Sequence, residues 1–212
     1  MVKPQTNRKL PNSRIQHNAP HSGILKYWFG RLCLQITGWK IVDNLPPEGK
    51  FLIVGAPHTS NWDFPLALLT VFTLRLKIAW MGKHTIFRKP FGGFMRWLGG
   101  IAINRSSSSG VVDQIADKFK TSEKLVLALA AEGTRKKSDY WKSGFYWIAL
   151  KAQVPIVCGY LDYPTREAGF GLSFIPTGDM KKDMDRIREF FCDKRGKIPE
   201  NASTVRLRDE GT

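Results

Sequence analysis

The chain has 212 residues, 42% hydrophobic and 12% aromatic, which suits one core of ordinary domain size and excludes a wholly disordered chain. Lysine and arginine total 33 against 18 acidic residues, and the net charge of +15 calls for an anionic partner: nucleic acid, anionic lipid or a phosphorylated substrate. Cys33, Cys158 and Cys192 are scattered and odd in number, and no ligand cluster accompanies the histidines, so a reducing compartment is expected and neither a disulfide framework nor a metal site.

Residues 1–23 are polar, lack the apolar stretch of a secretory signal and read as a disordered basic tail; residues 24–212 read as one domain. Between Met1 and Val42 stand seven basic residues and no acidic one. Ile24 to Ile36 places Leu25, Trp28, Phe29, Leu32 and Ile36 at helical spacing, with Lys26 and Arg31 among them. Two readings of this amphipathic helix stay open, a cap on the core or a helix resting on lipid, since amphipathic rings beside basic side chains suit the headgroup layer. Asn44 to Gly49 is a turn cluster, Phe51–Val54 a buried strand, Gly55–Asn61 a loop, and Trp62 to Leu74 a helix that tolerates Pro65 in its first turn. Strands are expected at Lys77–Met81, Ile101–Ile103, Leu125–Leu129 and Val154–Tyr160, and helices at Phe91–Leu98, Val111–Lys120, Gly144–Ala152 and Asp183–Asp193. The alternation predicts an α/β fold: a single domain with a mixed, mostly parallel sheet flanked by helices. The longest apolar run, Phe64 to Leu74, is about 11 residues, short of the roughly 20 of a membrane span, so contact with a membrane without crossing is expected.

Three segments can carry chemistry. His58 follows an apolar strand, and Asp63 stands five positions later at a helix start. With His58 still in the loop, the carboxylate can meet Nδ1, fix the tautomer and leave Nε2 free to accept a proton; an unrelated loop histidine beside a capping aspartate is the plainer alternative. Glu132-Gly133-Thr134-Arg135 combines a tight turn, a hydroxyl and a guanidinium able to grip phosphate, although surface turns often look like this. Gly99 to Arg105 puts an arginine after a strand, where a ligand or only solvent could meet it.

Together these segments, with the strand Val154 to Val157, resemble the glycerolipid acyltransferase family, which includes the 1-acylglycerol-3-phosphate acyltransferases, and look most like its small bacterial members. The resemblance covers about residues 37–178; one departure is Ala131 where the family usually has proline before the glutamate. It implies an O-acyltransferase of phospholipid biosynthesis that moves a fatty acyl group to a lysophospholipid hydroxyl, with His58 as general base and Asp63 orienting it, and with no acyl-enzyme. It also implies that Arg105, Glu132, Gly133, Thr134 and Arg135 bind the acceptor, with Lys83 a further candidate. The donor would be a thioester, acyl-CoA or acyl carrier protein, with no cofactor besides. The site of action would be an anionic membrane surface, peripherally, on the cytoplasmic face of the inner membrane. Another lysolipid or an amino-acid lipid is the alternative acceptor; a basic nucleic-acid-binding protein is the alternative class, but no nucleic-acid motif is present and no such partner is expected.

Overall fold

The computed structural model describes residues 17–103 and 108–210. In chain order the elements are α1 (Ile24–Ile36), β1 (Lys40–Val42), β2 (Lys50–Gly55), α2 (Asp63–Thr73), β3 (Ala79–Lys83), α3 (Gly92–Trp97), β4 (Gly100–Ile103), α4 (Ser108–Thr121), β5 (Leu125–Ala130), α5 (Gly144–Ala152), β6 (Ile156–Asp162), β7 (Glu167–Phe174) and α6 (Met180–Phe191), with short 3-10 turns at His84–Phe87 and Pro199–Asn201.

Seven strands form one sheet in the order β1-β7-β6-β2-β5-β3-β4. The five strands from β6 to β4 are mutually parallel, whereas β7 runs antiparallel to β6 and β1 lies parallel to β7 at the edge. Strand alternation divides the core into two layers. Phe51 and Ile53 of β2, Val126 of β5 and Val157 of β6 face the side that includes Leu34 of α1 and Val71 of α2. Leu52, Val54, Leu127, Ile156 and Cys158 face the side of α4, α5 and α6, where Phe119, Phe145 and Ile187 lie. All seven residues of β6 are buried, as a strand covered on both faces must be. The α/β class and the mostly parallel sheet therefore stand as expected.

Two strands were not legible in the sequence. β1 is only three residues long. β7 contains Gly169, Gly171 and Ser173, which read as turn rather than strand. The glycine at 169 is needed for a close approach: a Cβ there would lie 2.0 Å from the carbonyl oxygen of Val42. Only the end of the expected disordered tail is described. Residues 1–16 lie outside the described residues, but residues 17–22 pack on the connection after α2. His17 Nε2 meets the carbonyl of Leu74 at 3.0 Å, and the amide of Ser22 donates to Arg75 at 2.7 Å.

Helix α1 turns Tyr27, Gly30 and Leu34 inward onto α2. A Cβ at Gly30 would come within 2.8 Å of both the Leu69 carbonyl and the Thr73 hydroxyl, so glycine is what lets the two helices touch. The opposite face is apolar as well, with Leu25 82%, Trp28 57%, Phe29 59% and Ile36 76% exposed. Beside it α3 presents Phe94 and Trp97, and the Lys26 ammonium sits 4.2 Å from the Trp97 ring, joining the two helices into one patch.

Leu52 is fully buried in the central strand β2. Leu52→Ala is expected to cost about 2–5 kcal/mol of unfolding free energy. Urea denaturation followed by far-UV circular dichroism measures it, and a smaller loss would mean that the two layers can collapse onto the gap.

Candidate functional site

Parallel neighbours place their carboxyl ends side by side, and the loops there collect chemistry. β2 lies between β5 and β6, so the loop 56–62 after β2 has the loop 131–143 on one side and the turn 163–166 on the other. His58 stands in that middle loop, behind a cis Ala56–Pro57 bond. Asp63 opens α2, where the helix N-terminus favours an anion.

His58 Nδ1 lies 3.2 Å from Asp63 Oδ2. The same oxygen accepts the amides of Thr59 at 2.7 Å and Ser60 at 2.8 Å, while Oδ1 accepts the Tyr163 hydroxyl at 2.7 Å. Asp63 is 4% exposed. Burial pushes its carboxyl up, but the hydrogen bonds from His58, the Ser60 amide and Tyr163 outweigh burial and hold it below the usual aspartate range. A carboxylate facing Nδ1 makes that nitrogen the protonated one, which leaves Nε2 as the basic nitrogen.

Glu132, expected among the acceptor-binding groups, lies beneath the loop that carries His58. The residue is 1% exposed, and both of its oxygens are taken by the protein. Oε1 accepts the backbone amide of His58 at 2.6 Å, and Oε2 accepts the hydroxyl of Ser203 at 2.7 Å and its amide at 3.3 Å. Burial pushes the Glu132 carboxyl up, and the His58 and Ser203 donors offset part of that. Gly133, at a φ of 65°, makes the turn that aims Glu132 inward and Arg135 outward, with its amide bonded to the Ala130 carbonyl at 3.1 Å. The Thr134 hydroxyl accepts the Lys136 amide at 3.2 Å and so closes the turn. The Arg135 guanidinium donates to Asn61 Oδ1 on the loop that carries His58. Lys83 ends β3, and Arg105 lies outside the described residues.

Sequence reasoning missed the residues that hold the loop from further along the chain. Tyr163 comes from the β6–β7 turn. From the segment after α6, the Ile198 amide donates to the Thr59 hydroxyl at 3.2 Å and the Asn201 side chain to the Thr59 carbonyl at 3.4 Å. The polar pair Asp162-Tyr163 at the end of an apolar strand was the one available signal for the first; a lone Ser203 in a polar stretch offered none.

From the His58–Asp63 pair a cavity of about 450 Å3 runs between α2 and the sheet. His58, Asn61, Asp63 and Arg135 form its polar end, and Phe64, Leu68, Val71, Ile78, Trp80 and Phe170 line the rest. Ile86 and Met95 complete a wall that belongs to the same segment as the exposed Phe94 and Trp97. Near the pair, Cys158 is fully buried with its thiol pushed up by burial, and the Ser60 hydroxyl is buried and accepts the Trp62 amide at 3.2 Å. Among the described residues no group of three His, Cys, Asp or Glu side chains could hold a metal ion.

Because the Asp63 carboxyl is held low in the folded state, its contribution is present at neutral pH and lost as pH falls below the ordinary aspartate range through the depressed value. Asp63→Asn is therefore expected to lower stability by about 1.5–3 kcal/mol near pH 7. The gap to the wild type should narrow below about pH 4. Urea titrations across that range measure it; a gap independent of pH would show that ionisation of Asp63 contributes nothing.

A family model described as Acyltransferase matches residues 39–161. No curated protein gives a significant match. The fold is similar to the crystal structure of the 1-acyl-sn-glycerophosphate (LPA) acyltransferase, PlsC, from Thermotoga maritima, with a TM-score of 0.50 and 16% sequence identity over 73% of this chain and 69% of that one.

Proposed function

Since the chain belongs to the acyltransferase family, we propose that it transfers a fatty acyl group from a thioester to the hydroxyl of a lysophospholipid such as 1-acylglycerol-3-phosphate, with His58 as the general base. The observation that carries this reading is the apolar cavity with the His58–Asp63 pair at its polar end. An alkyl chain suits the apolar length, and the reacting carbonyl would then lie at the histidine.

In this mechanism Nε2 removes the acceptor hydroxyl proton as its oxygen attacks the thioester carbonyl. The tetrahedral adduct collapses with cleavage of the carbon–sulfur bond, and the imidazolium returns the proton to the departing thiolate. Asp63 holds the ring and stabilises the imidazolium in between. Acyl-CoA and an acyl carrier protein are both thioesters of the required kind, and no further cofactor enters. Arg135, at the cavity end beside Asn61, has the fork geometry for an acceptor phosphate, with Lys83 and Arg105 as further candidates. Another lysolipid or an amino-acid lipid would use the same His58 chemistry.

The reading extends to a peripheral attachment at an anionic membrane, on the cytoplasmic face of the inner membrane. Exposed apolar residues of α1 and α3 form one patch, with Lys26 within it and Arg31 and Arg96 on the same helices, and the α3 segment also walls the cavity. That arrangement suits a helix pair lying in the headgroup layer with the cavity opening toward lipid. No helix among the described residues is long and apolar enough to cross a membrane.

His58→Ala is expected to reduce acyl transfer into lysolipids by ~10²–10⁴ with the fold retained. Transfer from a radiolabelled thioester into a panel of lysolipids measures it and identifies the acceptor, and undiminished product would discard the base assignment. In the same assay Arg135→Ala should raise KM for a phosphorylated acceptor more than for the thioester. For the membrane, Trp28→Ser with Phe29→Ser is expected to weaken co-flotation with anionic vesicles at least about tenfold, on the apolar area removed. Undisturbed flotation would separate this patch from lipid binding.

A further inference from the structure

Tyr163 stands at the turn after β6, outside residues 39–161 that match the family model. Its ring is held in place by Trp39, which packs edge-on with ring centres 5.1 Å apart and is itself 8% exposed. Its backbone is fixed on both sides: the Tyr163 amide donates to the Arg195 carbonyl at 3.0 Å, and the Arg195 amide donates to Asp162 Oδ1 at 2.9 Å. The hydroxyl donates at 2.7 Å to Asp63 Oδ1, the carboxylate oxygen that His58, Thr59 and Ser60 leave free.

We propose that Tyr163 is a positioning residue for the acyl transfer: its hydroxyl fixes the Asp63 carboxylate in the plane in which Oδ2 meets His58 Nδ1, and so sets the direction of Nε2. The assignment rests on the reading of His58 as general base. Without a donor at Oδ1, the two loop amides on Oδ2 fix only one oxygen, and the carboxylate can rotate about its Cβ–Cγ bond. A pair held from one side only loses the near-attack alignment that makes a base effective. The hydroxyl is suited to the task because burial and the adjacent carboxylate push its ionisation well above the ordinary tyrosine range, so it remains a donor wherever the protein is folded. The phenol is uncharged, so it holds the carboxylate without neutralising it.

The test compares Tyr163→Phe in the wild-type and Asp63→Asn backgrounds. Alone, Tyr163→Phe is expected to lower kcat roughly tenfold, the effect of one charge-assisted hydrogen bond, with KM for the thioester within about twofold. In the Asp63→Asn background the same change should cost less than about twofold, because the tyrosine acts through the carboxylate. A readout independent of turnover is the carboxyl carbon resonance of Asp63, whose titration midpoint should move up when the donor is removed. Equal losses in both backgrounds, a wild-type kcat in Tyr163→Phe, or an unmoved Asp63 midpoint would each overturn the proposal. An inactive His58→Ala beside a wild-type-like Tyr163→Phe removes Tyr163 alone, whereas a fully active His58→Ala removes the general-base reading and this assignment with it.

Discussion

A carboxylate withdrawn from water survives as an anion only if donors replace the water, and the site is arranged around one such group. Asp63 receives two loop amides, a phenol and an imidazole. These donors come from the loop after β2 and the turn after β6, and the parallel pairing of those two strands is what brings them together. The sheet order is thus a condition of the charge, and the charge is a condition of the histidine's tautomer. Removing any one donor leaves a buried anion short of a partner, which is more costly than the same bond lost at a surface.

Glu132 is the counterpart on the other side of the loop. Where the donors around Asp63 hold it low, burial raises Glu132, although both carboxylates lie within one residue's reach of His58. The difference follows from what each one faces. Asp63 meets the imidazole itself, whereas Glu132 meets the backbone amide of His58 and the hydroxyl of Ser203. One acidic group orients the ring and the other anchors the chain that carries it, so two glutamate- or aspartate-bearing motifs with similar chemistry in sequence serve different ends in space.

Much of this was legible beforehand, and the reasons for the failures are physical. The central strands were readable because parallel strands covered on both faces are continuous apolar runs, and the pairing of His58 with Asp63 followed from a loop histidine placed just before a helix start. β1 and β7 were not, since one is three residues long and the other is glycine-rich where it approaches β1. A motif names residues in order without saying which way a turn aims them: on either side of Gly133, Glu132 is buried and Arg135 exposed. The periodicity of α1 gave a helix but not its orientation. Only Gly30, read with the contacts it permits, shows that the helix buries a narrow face and leaves its larger apolar residues outside.

The segment after α6 has a consequence for the order in which the molecule comes into being. Thr59 waits for Ile198, a partner 139 positions later, and Glu132 waits for Ser203, 71 positions later. The loop that carries His58 precedes both of these partners in the chain, and contacts of such separation close late. A nascent or partly unfolded chain therefore contains the histidine and the aspartate without the frame that aligns them. The aligned pair exists only in the finished fold, so under the proposed mechanism an incomplete molecule has little capacity to waste an activated thioester on water.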